Sequence, residues 1–272
     1  SALQQAVSQA LEQPIAAAQA YVQQQPATNV DETGWREQNK RAWLWVGATP
    51  QVAVFSIQST RGAAGVKQLL GETVTGIVGS DRWSAYNWLD AELRQLCWSH
   101  LQRDFQKLVD RQGESAQIGQ DLLTQSEQLF ILWHQMRDGT LGRSEFQVKV
   151  QPIQTKVHQY LEQGRAISHQ QTSRTCHNLL KLEPALWTFV YVEGVEPTNN
   201  LAERCLRRAV LWRRRSFGTQ SSDGSRFVER ILTTVTTLRL QQRDVLDYLT
   251  AACTATINRQ LPPSLLPRAS PT

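Results

Sequence analysis

Apolar positions lay out the plan of this chain. Leu3, Val7, Ala10, Leu11, Ile15, Ala18 and Val22 fall three or four residues apart, the spacing of one helical face. Glutamines fill the other face, and Pro14 is expected to kink or divide the helix. Residues 1–27 therefore read as a linker or partner helix. The pattern changes at residue 28. A short segment over 29–35 ends in turn residues, and apolar runs over 42–48 and 51–57 flank Thr49-Pro50. These predict strands, the last two paired through a tight turn. A helix over 62–70 and a buried strand over 75–80 follow, and Asp81 comes directly after that strand. Residues 94–100 read as a fifth strand or its exit, and 101–109 as a helix. Strands interleaved with helices make 28–112 a mixed α/β core.

From about 113 the period is helical. Ile118, Leu122, Leu129, Phe130 and Trp133 make one stripe. Val148, Ile153, Val157 and Leu161, divided by Pro152, make a second, and Cys176, Leu179, Leu180 and Leu182 a third. Residues 113–190 are expected to form an all-helical subdomain inserted in the core. Residues 191–257 return to complete that core. They begin with a helix whose apolar face is Leu201, Cys205, Ala209 and Trp212. Phe227, Ile231, Val235 and Leu238 predict another helix over 226–239, and 245–252 a last one. Four prolines after Leu261 make 258–272 read as a flexible tail.

Charge narrows the field of partners. The 272 residues carry a net charge of +5, with a sequence pI of about 9.2. Arginine concentrates between 204 and 239, as it does on proteins that meet a polyanion. Arg204, Arg207, Arg208, Arg213, Arg214 and Arg215 all ride on one helix with Glu203 in its first turn. No run of about 18 apolar residues is present, so a cytoplasmic protein without a membrane partner is expected. The four cysteines make no tight pair, which argues against a disulfide framework.

Three carboxylates are candidates for chemistry. Asp81 lies at the carboxyl end of a strand, where open α/β sheets bind ligands, and Asp31 lies in or just after the first strand. Two such groups stay ionised side by side mainly with a cation between them, and Mg²⁺ suits hard oxygen ligands of this kind. Each residue also has a plain reading. Asn200 and Glu203 stand at capping-box spacing, Asn199 and Asn200 both suit a helix start, Asp31 suits a turn, and Asp81 suits the N-cap of a following helix. Cys97 and His100 have the spacing of half a zinc site, with no second half at good spacing.

The segments NVDETGWR, GIVGSDRWSAYNWL, QLCWSHLQRDFQKL, RTCHNLLK, VEPTNNLAERCLRRAV and RRRSFGTQSSDGSRFVER occur in this order from Asn29 onward. Together they resemble the catalytic domain of the insertion-sequence 66 family of bacterial transposases, over most of the chain up to Ala252. The resemblance implies a ribonuclease H-like mixed sheet flanked by helices and interrupted by the helical insertion. It implies an Asp-Asp-Glu triad at Asp31, Asp81 and Glu203, holding two Mg²⁺ or Mn²⁺ ions for cleavage and strand transfer. The arginines of the Glu203 helix would hold the DNA backbone. Cys97 and His100 match a motif that follows the second acid in helical-insertion transposases. The implied partners are transposon-end and target DNA, a homo-oligomer on that DNA, and possible accessory proteins of the same element. Relatives carry an upstream DNA-recognition region, so the chain is expected to be the catalytic part of a longer protein or a truncated copy. Two alternatives stay open: an inactive, transposase-derived DNA-binding protein, and a related nuclease that cuts without joining.

Overall fold

The computed structural model describes residues 2–267. Along the chain run α1 (Ala2–Gln23), β1 (Ala27–Glu37), β2 (Lys40–Ala48), β3 (Ala53–Gln58), α2 (Ala63–Leu70), β4 (Ile77–Ser80), β5 (Arg94–Leu96), α3 (Trp98–Val109), α4 (Gly113–Arg137) and α5 (Arg143–Ala166). They are followed by α6 (Gln170–Lys181), α7 (Pro184–Tyr191), α8 (Asn200–Ser216), α9 (Ser222–Leu240) and α10 (Val245–Ile257). The sheet order is β3-β2-β1-β4-β5, with β1, β2 and β3 antiparallel and β4 parallel to β1. Two compact units result. One holds the residues up to Leu93 and those from Asn199 onward; the other holds Arg94–Thr198.

In the first unit, alternation along the strands builds a core on each face of the sheet. Trp45 and Val54 pack on one face with Leu11, Ala18 and Val22 of α1, Val66 and Leu69 of α2, and Ala252 of α10. Leu44, Val46 and Phe55 pack on the other with Ala202, Cys205, Leu206 and Ala209 of α8 and with Val228 and Leu232 of α9. The β1–β2 turn needs only two residues, Gln38 and Asn39, both at positive φ (49° and 60°). That is the type I′ geometry, whose twist matches that of the paired strands.

Several sequence expectations change here. α1 is no linker: Leu11 and Ala18 are fully buried in a core. Pro14 lies inside one continuous helix and on its buried side. Proline removes one N–H from the ladder, and apolar contact around it offsets the loss. Pro152 likewise sits inside an undivided α5. The 261–267 segment has no regular structure but is packed, with Leu265 buried and its carbonyl accepting from Gln241 Nε2 at 2.9 Å. The rest of the expected tail, from 268, lies outside the described residues.

α9 departs furthest from its expected stripe. Phe227, Ile231 and Val235 are only half-buried, while Thr233, Thr234, Thr236 and Thr237 are buried. The cause is its place along the free edge of β3. Ile57 N–H donates to Glu229 Oε1 at 2.5 Å, Phe55 N–H to Thr233 Oγ1 at 2.9 Å and Ala53 N–H to Thr237 Oγ1 at 3.1 Å. Thr237 Oγ1 also donates to Ala53 O at 3.1 Å. Every fourth helical residue advances about 6 Å and every second strand residue about 6.7 Å. The two periods match closely enough for three successive bonds. The helix thereby closes an edge that would otherwise offer its backbone to another chain.

In the second unit, α3 to α6 pack as consecutive neighbours. Trp133, Phe146 and Phe189 form an aromatic cluster with centroids 5.3 to 6.2 Å apart. Val148, expected in the second stripe, is exposed, and Phe146 and Val150 take the buried positions. The unit begins at Arg94, ahead of the helical stretch expected from 113. β5 and α3 belong with it because α7 is stitched to them. Thr188 Oγ1 donates to Arg94 O at 2.5 Å, Phe189 N–H to Gln95 Oε1 at 2.8 Å, and Trp98 Nε1 to Leu186 O at 2.8 Å.

Two outcomes follow for the β3 edge. Thr233→Val leaves Phe55 N–H buried without an acceptor and should cost about 1–3 kcal/mol in urea unfolding. Its neighbour Thr234 is fully buried with no bond at Oγ1, so Thr234→Val should cost nothing or stabilise. Equal losses in both variants would contradict the edge-closing role. The second outcome concerns pH. Burial pushes the Glu229 carboxyl up from 4.5 to about 7, against its bond from Ile57 N–H. The folded state therefore holds this proton more tightly than the unfolded chain. The contribution is full below about 4.5 and is lost as pH rises through 7. Glu229→Gln keeps an acceptor and stays neutral, so it should gain on the parent protein above pH 7, by up to about 3 kcal/mol, and not at pH 4.

Candidate functional site

The site is built on β1, which is paired on both sides. Asp31 pairs with Val46 of β2, and on the other side Asn29 pairs with Gly79 of β4. Asp31 and Asp81 each come two residues after that last pair, and the charge of Asp81 is felt at Asp31. Adjacent strands lie about 4.8 Å apart. Asp81 is held by a local turn: its Oδ1 accepts from Trp83 N–H at 2.8 Å, and its carbonyl from Ser80 Oγ at 2.8 Å. It is not an N-cap, since that position before the short 3-10 turn Ser84–Tyr86 belongs to Trp83.

Glu203 arrives from α8. Asn199 is the N-cap residue, but its side chain makes no capping bond. Instead its Nδ2 donates to Val30 O at 2.8 Å, and the residue is 1% exposed. With Asn199 rather than Asn200 at the N-cap, Glu203 stands four residues on, one off the capping-box spacing. The amide pins the helix start to β1 one residue before Asp31, and Glu203 follows one turn later. Asp31 and Glu203 line one pocket of about 530 Å³ with Glu32, Thr33, Asn200, Arg204 and Arg207.

Electrostatics agree with this convergence. The Asp31 carboxyl is pushed up from 3.8 to about 7, first by burial, then by the charge of Glu32, and further by those of Asp81 and Glu203. Its own bond from Glu32 N–H, at 2.9 Å, works the other way. Carboxylate oxygens suit a hard divalent cation, which would relieve this repulsion.

Glu32 was missed by sequence reasoning, although it stands next to Asp31 in the DET motif. It points to the opposite face of the sheet. Its side chain is 2% exposed and pairs with Arg61, Nε to Oε1 at 2.7 Å. Tyr86 OH donates to its other oxygen at 3.4 Å. Burial raises its pKa even so, with Arg61 opposing. Arg61 stacks on Trp83 (4.1 Å) and Trp43 (4.9 Å), and its carbonyl accepts from Trp83 Nε1 at 3.1 Å. Through Trp83, this cluster buttresses the turn that carries Asp81.

The expected DNA-binding arginines divide into groups. Arg204 and Arg207 line the carboxylate pocket. Arg213 and Arg214 line a second pocket toward the end of α8. Arg208 stands near Arg239, whose like charge joins burial in lowering its pKa, and Arg215 is exposed in the last turn. Cys97 and His100 lie in the second unit, Cys97 buried at the N-cap of α3 and His100 half-buried in its first turn.

The site thus sets acids of a mixed sheet beside an arginine-rich helix. The family model described as Transposase IS66 family matches residues 1–226, and the chain belongs to that family. It is also similar to the uncharacterized protein y4qI of Sinorhizobium fredii (strain NBRC 101917 / NGR234), 26% identical over 237 residues. That alignment covers 79% of this chain and 43% of the relative's length. No solved structure matches the chain significantly. Among the described residues, no helix is long and apolar enough to cross a membrane.

Arg61→Ala would strand a buried carboxylate. It should cost on the order of 3 kcal/mol in denaturant unfolding, and the double variant with Glu32→Gln should recover most of that loss. Failure of the second change to rescue the first would mean that Arg61 acts through its stacking alone.

Proposed function

We propose that the chain is the catalytic part of a DNA transposase with a ribonuclease H-like core, which cuts and transfers DNA strands through Asp31, Asp81 and Glu203. The observation that carries this reading is the pocket lined by both Asp31 of β1 and Glu203 of α8, with the charge of Asp81 also felt at Asp31, in a family of transposases. Helices on both faces of a mixed sheet support the fold reading, as does a helical unit interposed before the third acid.

Asp31, Asp81 and Glu203 would hold divalent cations, two Mg²⁺ or Mn²⁺ ions in our reading. Such ions supply Lewis-acid activation of the attacking oxygen and stabilise the leaving 3′-oxygen. The protein's own share is positioning. β1 carries Asp31, Asp81 follows directly on β4, and Asn199 ties the start of α8, one turn ahead of Glu203, to Val30. Arg204 and Arg207 border the same pocket and suit the phosphates on either side of the scissile bond. Without a cation, burial and the neighbouring acids push the Asp31 carboxyl up to about 7. Target and end DNA are the substrates, and assembly of several copies on paired ends belongs to the same proposal.

The test is strand cleavage on a labelled end-bearing duplex with Mg²⁺. Asp81→Asn and Glu203→Gln should each lower cleavage by at least about a thousandfold while DNA binding is kept or improved. Cleavage by either variant at the parental rate would remove the triad from the mechanism. A joining assay with a free 3′-end separates a transposase from a nuclease that only cuts.

A further inference from the structure

A second pocket, of about 820 Å³, opens where the β1–β2 hairpin meets the end of α8. Arg36, Asn39, Arg41, Trp43, Arg214 and Phe217 are among its lining residues, and no carboxylate is. Its size is that of a small-ligand site, and it combines guanidinium groups with aromatic rings. Arg41 lies over the Trp43 ring at 5.0 Å.

Phe217 is the unusual member. It ends α8 in the left-handed conformation, φ 58°, where helices ordinarily place glycine. Its ring is nevertheless 75% exposed. The turn around it is not loose. Gly218, at φ 115°, passes so close to β1 that a Cβ would lie 2.2 Å from Arg36 O. Thr219 N–H donates to that same carbonyl at 2.9 Å, and Gln38 N–H donates to Thr219 O at 2.9 Å. Arg213 adds bonds to Thr33 Oγ1 and Gly34 O from the helix side. The backbone is thus fastened on both sides of an exposed ring held in a costly conformation. No packing gain accounts for that ring.

We propose that this pocket receives an unpaired nucleotide of the DNA strand engaged at the carboxylate pocket, with the base stacked on Phe217 and its phosphates on Arg36, Arg41 and Arg214. Stacking on aromatics beside a basic groove is how proteins hold single strands without sequence preference. The inference rests on the DNA-processing reading above. The two pockets share β1 and α8. Four strand residues from Asp31 to Trp35 span about 13 Å, and eleven helical residues from Glu203 to Arg214 about 16 Å. At ~3.4 Å per nucleotide step, the unpaired base falls roughly four or five nucleotides from the scissile bond.

The experiment is fluorescence anisotropy in EDTA, so that no cleavage intervenes, with a labelled oligothymidylate and a blunt duplex of equal length. Phe217→Gly is the informative variant, because glycine suits the left-handed backbone and removes only the ring. It should weaken oligothymidylate binding about tenfold and duplex binding less than twofold, and Phe217→Tyr should restore the affinity. Oligothymidylate binding within twofold of the parent protein would overturn the inference. So would an equal loss on the duplex, which would make this a general basic surface. If Asp81→Asn still cut DNA in the cleavage assay while Phe217→Gly lost single-strand binding, the triad reading would fail and the pocket would stand.

Discussion

Asp31 cannot move away from its neighbours. It lies within β1, paired with Val46 of β2 and two residues beyond the last pair with β4, so the ladder fixes its Cα position. A side chain on a loop would swing toward water when crowded by like charge. This one is held half-buried beside Glu32, Asp81 and Glu203, and its proton affinity rises to the neutral range. Much of the first unit serves this constraint. β2 supports β1 on one side, β4 ends on the other at the point where Asp81 must turn, and α8 is tied to Val30 by Asn199. Burial and repulsion among these acids are a standing cost that a proton on Asp31 relieves, and that a bound cation would relieve as well.

The two faces of β1 divide the work. Odd positions carry Asp31, Thr33 and Trp35 toward α8 and its arginines. Even positions carry Val30 and Glu32 toward the opposite core. Glu32 could not stay there as an unpaired ion, since transfer of a lone carboxylate into an apolar region is prohibitive. Arg61 resolves this, and because Arg61 also stacks on Trp83, the resolution steadies the Asp81 turn. A structural necessity on one face thus supports geometry on the other.

Much of the fold was legible because local pattern and tertiary position agreed. The β2 and β3 runs are buried on both faces and read as strands from their apolar continuity. Asp31 and Asp81 could be placed at strand positions from the same patterns, and the NNxAER stretch marked the Glu203 helix. What escaped depended on contacts distant in sequence. The threonines of α9 look polar in the sequence, yet they meet the backbone of β3 about 180 residues earlier, so the apolar stripe misplaced the helix face. Asn199 carries a helix-start signal, but its amide goes to Val30, a partner no local rule could name. Pro14 and Pro152 signal breaks; burial of Pro14 overrides the first, and α5 runs on past the exposed Pro152 with Val150 and Ile153 buried on either side of it. Glu32 lay beside a chosen residue and was passed over, because period-two alternation sends it to the other side.

Charge along α8 is graded by what faces it. In the first turns Arg204 and Arg207 stand beside carboxylates, so a phosphate drawn to them meets the acids' field as well and is held close only when cations are present. Toward the far end, Arg213 and Arg214 border a pocket whose described lining has no acid, and there a phosphate is welcome without metal. A strand laid along this helix would therefore bind first at the end remote from the acids. Its scissile segment would settle over them once the ions are in place. Under the function proposed above, this charge pattern would set an order of events: capture before chemistry, with metal binding deciding when the second follows the first.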